Sequence, residues 1–338
     1  MQTLYTVKYF NVKIDSDDNV DLSSILAIDE IAYKNRKRLK KKEAVMIKIY
    51  KSESGKEQVL RSYNALLELW PTEFEELDIN TKYGVTHCLI SGHKSNPPLL
   101  LLHGVGDNSA VMWMLNIKEL SNHFYCIAVD TMGGPGKSVP NENFQKKTFD
   151  QVDWINEIVD QMGLDQFHIA GVSNGAYMAF NYTVNEASRV NKVVCMEGGM
   201  VTTPIKTMVS TLMMMMPEIL IPTRNNMLKI IKKLSSPQSR VYEQHPELAD
   251  HLVLAMKNHN QQAMFAHKLQ KYDQASAAAI KDKLYFLMGE YKLSHKKDFL
   301  QVLNAGQFRY KIIPHAGHGV NHEQPDAVHN ELIPFLLH

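Results

Sequence analysis

The segment Gly171-Val172-Ser173-Asn174-Gly175 constrains this chain more than any other. An apolar run, Phe167-His168-Ile169-Ala170, leads straight into it, and a helix-compatible run, Ala176-Tyr177-Met178-Ala179-Phe180, leaves it at once. The pattern predicts a strand that turns sharply into a helix with a serine at the apex. Glycines flank the apex because the two backbones approach too closely there for a side chain. A glycine-rich turn with an idle serine is the bland alternative, and the pentapeptide by itself does not dismiss it.

The rest of the chain supplies the sheet this turn needs. Residues 98–102 are continuously apolar, as a strand buried on both faces should be. A helix is expected over 58–70, where Leu60, Tyr63, Leu66, Leu67 and Trp70 recur at three and four, ended by Pro71. Strands at 74–79 and 86–91 flank the Lys82-Tyr83-Gly84 turn and read as an antiparallel hairpin. Further strands are expected at 124–129, 192–196, 284–288 and 309–313, with helices at 113–120, 149–162 and 327–337. This alternation implies an α/β fold with a doubly wound, mostly parallel sheet, and sites at the carboxyl ends of its strands.

Two stretches stand apart. Residues 201–279 carry no strand signal and include Met213-Met214-Met215-Met216. They read as a helical lid inserted after the strand that follows the serine's helix. The methionines form either an adaptable apolar binding surface or a core-packed face. Residues 1–55 read as an extension, with a strand-like 5–14 and a basic run at 34–42 that is better explained as a solvated arm than as a nucleic-acid patch. The expected organisation is therefore an arm (1–55), a core (56–200), a lid (201–279) and the rest of the core (280–338).

Composition narrows the function classes. A formal net charge of +1 gives no reason to expect nucleic acid as a partner. Cys88, Cys126 and Cys195 lie in apolar runs without metal-ligand spacing, which suggests core residues in a reducing, cytoplasmic setting. No uninterrupted apolar run is long enough to span a bilayer, and no metal or cofactor motif is found. Oligomeric state is not readable.

Four segments, in order, resemble the α/β-hydrolase superfamily from about residue 63 onward. They are His103-Gly104-Val105-Gly106, Asp130 to Ser138, the Ser173 turn, and His315-Ala316-Gly317-His318 followed by Glu323-Gln324-Pro325. The resemblance implies a nucleophile, Ser173, activated by a base at His318, with His315 as rival, and oxyanion donors from the Val105 and Asn174 backbones. His103 is expected to be structural. The third member is open. In the commonest pattern an aspartate lies two residues after Gly289-Glu290, but this chain has Lys292 there. Glu197 follows the strand after the Ser173 turn's helix, the place where some branches such as the haloalkane dehalogenases carry their acid. Glu290 is the second choice, and an absent acid the third. Asp298 is expected to be an ordinary solvated carboxylate. The expected activity is a carboxylesterase-like serine hydrolase acting on a small acyl substrate, with Trp113 and the methionines lining an apolar acyl pocket. The alternative, suggested by Lys292, is a non-catalytic or regulatory small-ligand-binding protein on the same scaffold.

Overall fold

The computed structural model describes residues 47–146, 148–201, 213, 215–267, 269–291 and 296–338. The expected strand at 5–14, the basic run, Met214 and Lys292 lie outside the described residues.

Among the described residues nine strands form one sheet: β1 (Glu75–Thr81), β2 (Gly84–Ser91), β3 (Pro98–Leu102), β4 (Tyr125–Val129), β5 (Val139–Pro140), β6 (Phe167–Val172), β7 (Val190–Met196), β8 (Leu284–Gly289) and β9 (Tyr310–Ile313). Their order is β1-β2-β4-β3-β6-β7-β8-β9, with the short β5 pairing β2. β1 and β2 form the expected hairpin, β2 runs antiparallel to β4, and β4 through β9 along this path are parallel.

The helices are α1 (Glu53–Glu68), α2 (Ser109–Met112), α3 (Ile117–His123), α4 (Gln151–Gln161), α5 (Asn174–Asn185), α6 (Arg224–Leu234), α7 (Val241–Gln244), α8 (Pro246–Asn258), α9 (Gln274–Ala278), α10 (Lys297–Ala305), α11 (Val320–Glu323) and α12 (Pro325–Leu337). The apolar run of β3 shows why two layers of them are needed. Leu100 and Leu102 point to a core shared with Trp154, Ile155 and Ile158 of α4 and Phe180 of α5. Leu99 and Leu101 point the other way, to Tyr63 and Leu66 of α1, Leu120 of α3 and Leu332 of α12. Alternate side chains of one strand thus feed two cores.

One expectation needs correction. The segment expected as a helix over 113–120 is helical only from Ile117, within α3; residues 113–116 form a turn between α2, which Asn108 caps, and α3, which follows Asn116. The Asn116 amide donates to Asn321 O at 2.9 Å, tying the break to the last part of the chain. Ahead of α1, Lys51 N–H donates to Asn258 O and Asn260 N–H to Ile49 O, and Ser52 caps the helix.

Between β7 and β8 the described residues contain helices α6 to α9 and short 3-10 turns, and no strand. Met227, Ile230 and Ile231 of α6 pack on Val253 of α8. His251 of α8 bridges Ser62 of α1, at 3.0 Å, and Asn108, at 2.8 Å.

The strand order reverses direction between β3 and β6, and a crevice opens at such a switch point. Gly175 fixes how closely its walls meet: a Cβ there would lie 2.2 Å from Leu102 O and 2.7 Å from His103 O. Gly175→Ala should therefore destabilise the fold although alanine favours helix. The expected drop in melting temperature is roughly 5 °C or more, from an overpacking cost of about 2 kcal/mol, read by thermal denaturation.

Candidate active site

The turn after β6 places Ser173 at φ 56°, ψ −114°, a backbone conformation that residues with side chains rarely adopt. Its N–H continues the sheet to Met196 O at 2.8 Å, while its carbonyl accepts from Tyr177 to start α5. Gly171 permits the tightness: a Cβ there would lie 2.3 Å from the carbonyl of Gly175.

The loop after β3 packs directly on this apex. A Cβ on Gly104 would touch Ser173 Cβ at 3.4 Å and Asp107 Oδ2 at 3.3 Å. His103 braces the loop, with Nδ1 bonded to Gly104 O at 2.9 Å and Nε2 accepting from Thr131 N–H at 2.9 Å. Burial pushes its imidazole below the ordinary range, although Asp130 opposes this, so the ring stays neutral and keeps both bonds. The N–H of Val105 and the N–H of Asn174 donate to none of the described residues. Asn174 opens α5, where the first amides have no partner within the helix. Gly106 N–H differs, since Met264 Sδ accepts from it at 3.2 Å.

Glu197 directly follows β7 at φ 55°, and its side chain is 1 % exposed. Its Oε2 lies 3.2 Å from His318 Nδ1. Its Oε1 accepts from Gly289 N–H at 2.5 Å and from Lys296 Nζ at 2.7 Å. Burial pushes this carboxyl up, but the His318 hydrogen bond and the Lys296 charge outweigh it and hold the group below the usual range. The adjoining Gly198 closes the cluster, because a Cβ there would lie 2.6 Å from Ser173 O. With its proton on Nδ1 facing Glu197, His318 keeps a lone pair on Nε2.

Glu290 is placed elsewhere. It is exposed, and its carboxylate accepts from His315 N–H at 3.2 Å. His315 is likewise exposed. Asp298 is exposed on α10. Trp113 is 1 % exposed within the hydrophobic core between the sheet and α1, α3 and α12, and Met213 is exposed.

Two residues in this cluster carry no signal that the sequence reading used. Lys296 precedes α10 and reaches Glu197 from the stretch after β8. Asp107 directly follows His103-Gly104-Val105-Gly106, and its place in the motif could have flagged it. Its carboxyl is pushed up to about 7 by burial, with the His318 charge pulling the other way.

The family described as alpha/beta hydrolase fold matches residues 97–240. Carboxylesterase YbfK of Bacillus subtilis is 27% identical over 290 residues, covering 82% of this chain and 92% of that protein. The crystal structure of carboxylesterase CesB (YbfK) from the same organism superposes with a TM-score of 0.68 at 26% identity, over 84% of this chain and 98% of that one. Naproxen esterase (carboxylesterase NP), also from B. subtilis, has a TM-score of 0.71 at 22% identity, over 84% and 99% of the two chains, a likeness of fold. No helix among the described residues is long and apolar enough to cross a membrane.

The raised Asp107 has a stability consequence. Its folded-state value lies above the ordinary carboxylate value, so its contribution is full below about 4 and lost as the pH rises through about 7. Asp107→Asn removes that loss. The variant's gain in melting temperature over wild type should be larger at pH 8 than at pH 5; an equal gain at both would refute the assignment.

Proposed function

We propose that this chain, a carboxylesterase-like α/β hydrolase, cleaves a carboxylic ester or related acyl compound through an acyl-enzyme on Ser173. The observation that carries the reading is the His318–Glu197 contact beside the Ser173 turn. Serine is a weak nucleophile at its free pKa and needs a base. His318 Nε2 takes the Ser173 proton as Oγ attacks the carbonyl carbon, forming a tetrahedral intermediate. The N–H groups of Val105 and Asn174 receive its oxyanion. His318 then passes the proton to the leaving alcohol. A water attacks the acyl-enzyme with His318 again as base, releasing the acid and Ser173. Glu197 orients the imidazole and stabilises its charged form.

Three contacts support assigning the lid role to the insertion between β7 and β8. Met264 meets the oxyanion loop at Gly106, Leu234 O accepts from His318 N–H at 2.8 Å, and Glu323 Oε2 accepts from Ser236 N–H at 2.7 Å. An acyl group held between insertion and turn would be shielded from bulk water. The non-catalytic reading rested on Lys292, whereas the pairing of Glu197 with His318 gives the base an acid from another strand.

A fluorophosphonate probe tests the nucleophile. Intact mass should show a single adduct on wild type and none on Ser173→Ala; wild-type protein that is folded yet unmodified would contradict an activated serine. A second experiment ranks the acids by hydrolysis of p-nitrophenyl butyrate. Glu197→Gln should lose about 10³- to 10⁴-fold in kcat while Glu290→Gln stays near wild type. The reverse order would move the acid to Glu290.

A further inference from the structure

We propose that Lys296 is a positioning residue that tunes charge: paired with Glu197 across the carboxylate from His318, it lets the acid orient the imidazole without holding a proton on it. The inference rests on the reading of Ser173, His318 and Glu197 as the reacting set.

The geometry is specific. Lys296 Nζ donates to Glu197 Oε1 at 2.7 Å and to Gly289 O at 3.1 Å, so two acceptors fix the ammonium. His318 takes the other carboxylate oxygen. β7 and β8 are parallel neighbours, so Gly289 at the end of β8 lies beside the acid that follows β7. A cation supplied from the stretch after β8 complements a carboxylate carried by the adjoining strand.

The chemistry requires a balance. A buried carboxylate with imidazole as its sole partner strongly favours the imidazolium, and an imidazolium cannot accept the Ser173 proton. The same carboxylate without a cation would itself tend to take up a proton. The Lys296 charge answers both problems. It keeps Glu197 ionised and offsets the pull of that charge on the His318 proton, so the neutral base persists to lower pH. Among the described residues, Lys296 and His318 meet Glu197, and Glu197 and Asp107 meet His318. Asp107, when ionised, favours the imidazolium and so opposes Lys296. Lys296 and His318 touch one carboxylate, a separation at which a unit charge moves a titration by roughly 1.5–2 pH units at an effective dielectric of about 20, and the partial exposure of both groups screens this to about one pH unit.

The test follows His318 protonation by NMR of nitrogen-labelled imidazole against pH, alongside pH profiles of kcat/KM for p-nitrophenyl butyrate. Lys296→Met removes charge and hydrogen bonds; Lys296→Gln keeps a donor without charge and serves if the first does not fold; Lys296→Arg keeps the charge. In the Met and Gln variants the midpoint of His318 protonation should rise by about one pH unit, with the acid limb of kcat/KM following and KM unchanged, and Arg should restore both. An unmoved midpoint in Lys296→Gln, or a kcat loss uniform across pH, overturns the proposal and leaves Lys296 a structural brace. A midpoint that moves in protein whose wild type hydrolyses no ester supports the charge role and contradicts the esterase reading instead.

Discussion

A carboxylate with 1 % of its side chain exposed can stay ionised only if both of its oxygens are met by donors, and the site is organised around meeting them. Glu197 receives a backbone N–H from the end of β8, an ammonium from the stretch before α10, and an imidazole from the loop after β9. Each donor comes from a different segment, so the carboxylate ties together the ends of neighbouring parallel strands. Residues at unusual backbone angles meet here: Ser173 and Glu197 both have positive φ. Strain of this kind persists where the surroundings over-determine it, and the sheet hydrogen bonds of Ser173 and Glu197 do so.

The same arrangement couples the insertion to the chemistry. His318 N–H is bonded to the last residue of α6, and a Cβ on Gly317 would lie 2.3 Å from that same Leu234 carbonyl. Met264, on the turn after α8, meets the oxyanion loop at Gly106. Movement of the insertion would therefore disturb the base and the oxyanion loop together. Packing of α6 on α8 and the His251 bridge to α1 resist such movement.

Much of this is legible in the sequence, for identifiable reasons. The Ser173 turn can be read because glycine spacing reports backbone approach directly, and the close contacts at Gly171 and Gly175 are what that spacing implies. The strands can be read because a run such as Leu99 to Leu102 must be buried on both faces. Glu197 can be named, but only as one of three possibilities, since choosing among them needs distances. Lys296 is invisible, because a long side chain joins two segments about a hundred residues apart and leaves no periodicity. Asp107 reads as a polar loop residue until its burial is known. The break between α2 and α3 is missed because Trp113 and Leu120 fit a helical period, while the Asn116 to Asn321 bond that fixes the break is a tertiary contact.

The central claim is that Ser173, His318 and Glu197 act as one unit, with the acid supplied by β7. A crystal structure of the fluorophosphonate-treated protein tests it most directly. The account predicts phosphorus on Ser173 Oγ, the phosphoryl oxygen within hydrogen-bond reach of Val105 N–H and Asn174 N–H, and His318 Nδ1 still on Glu197. Phosphorus on another residue, or a His318 turned from Glu197 to Glu290, would contradict it.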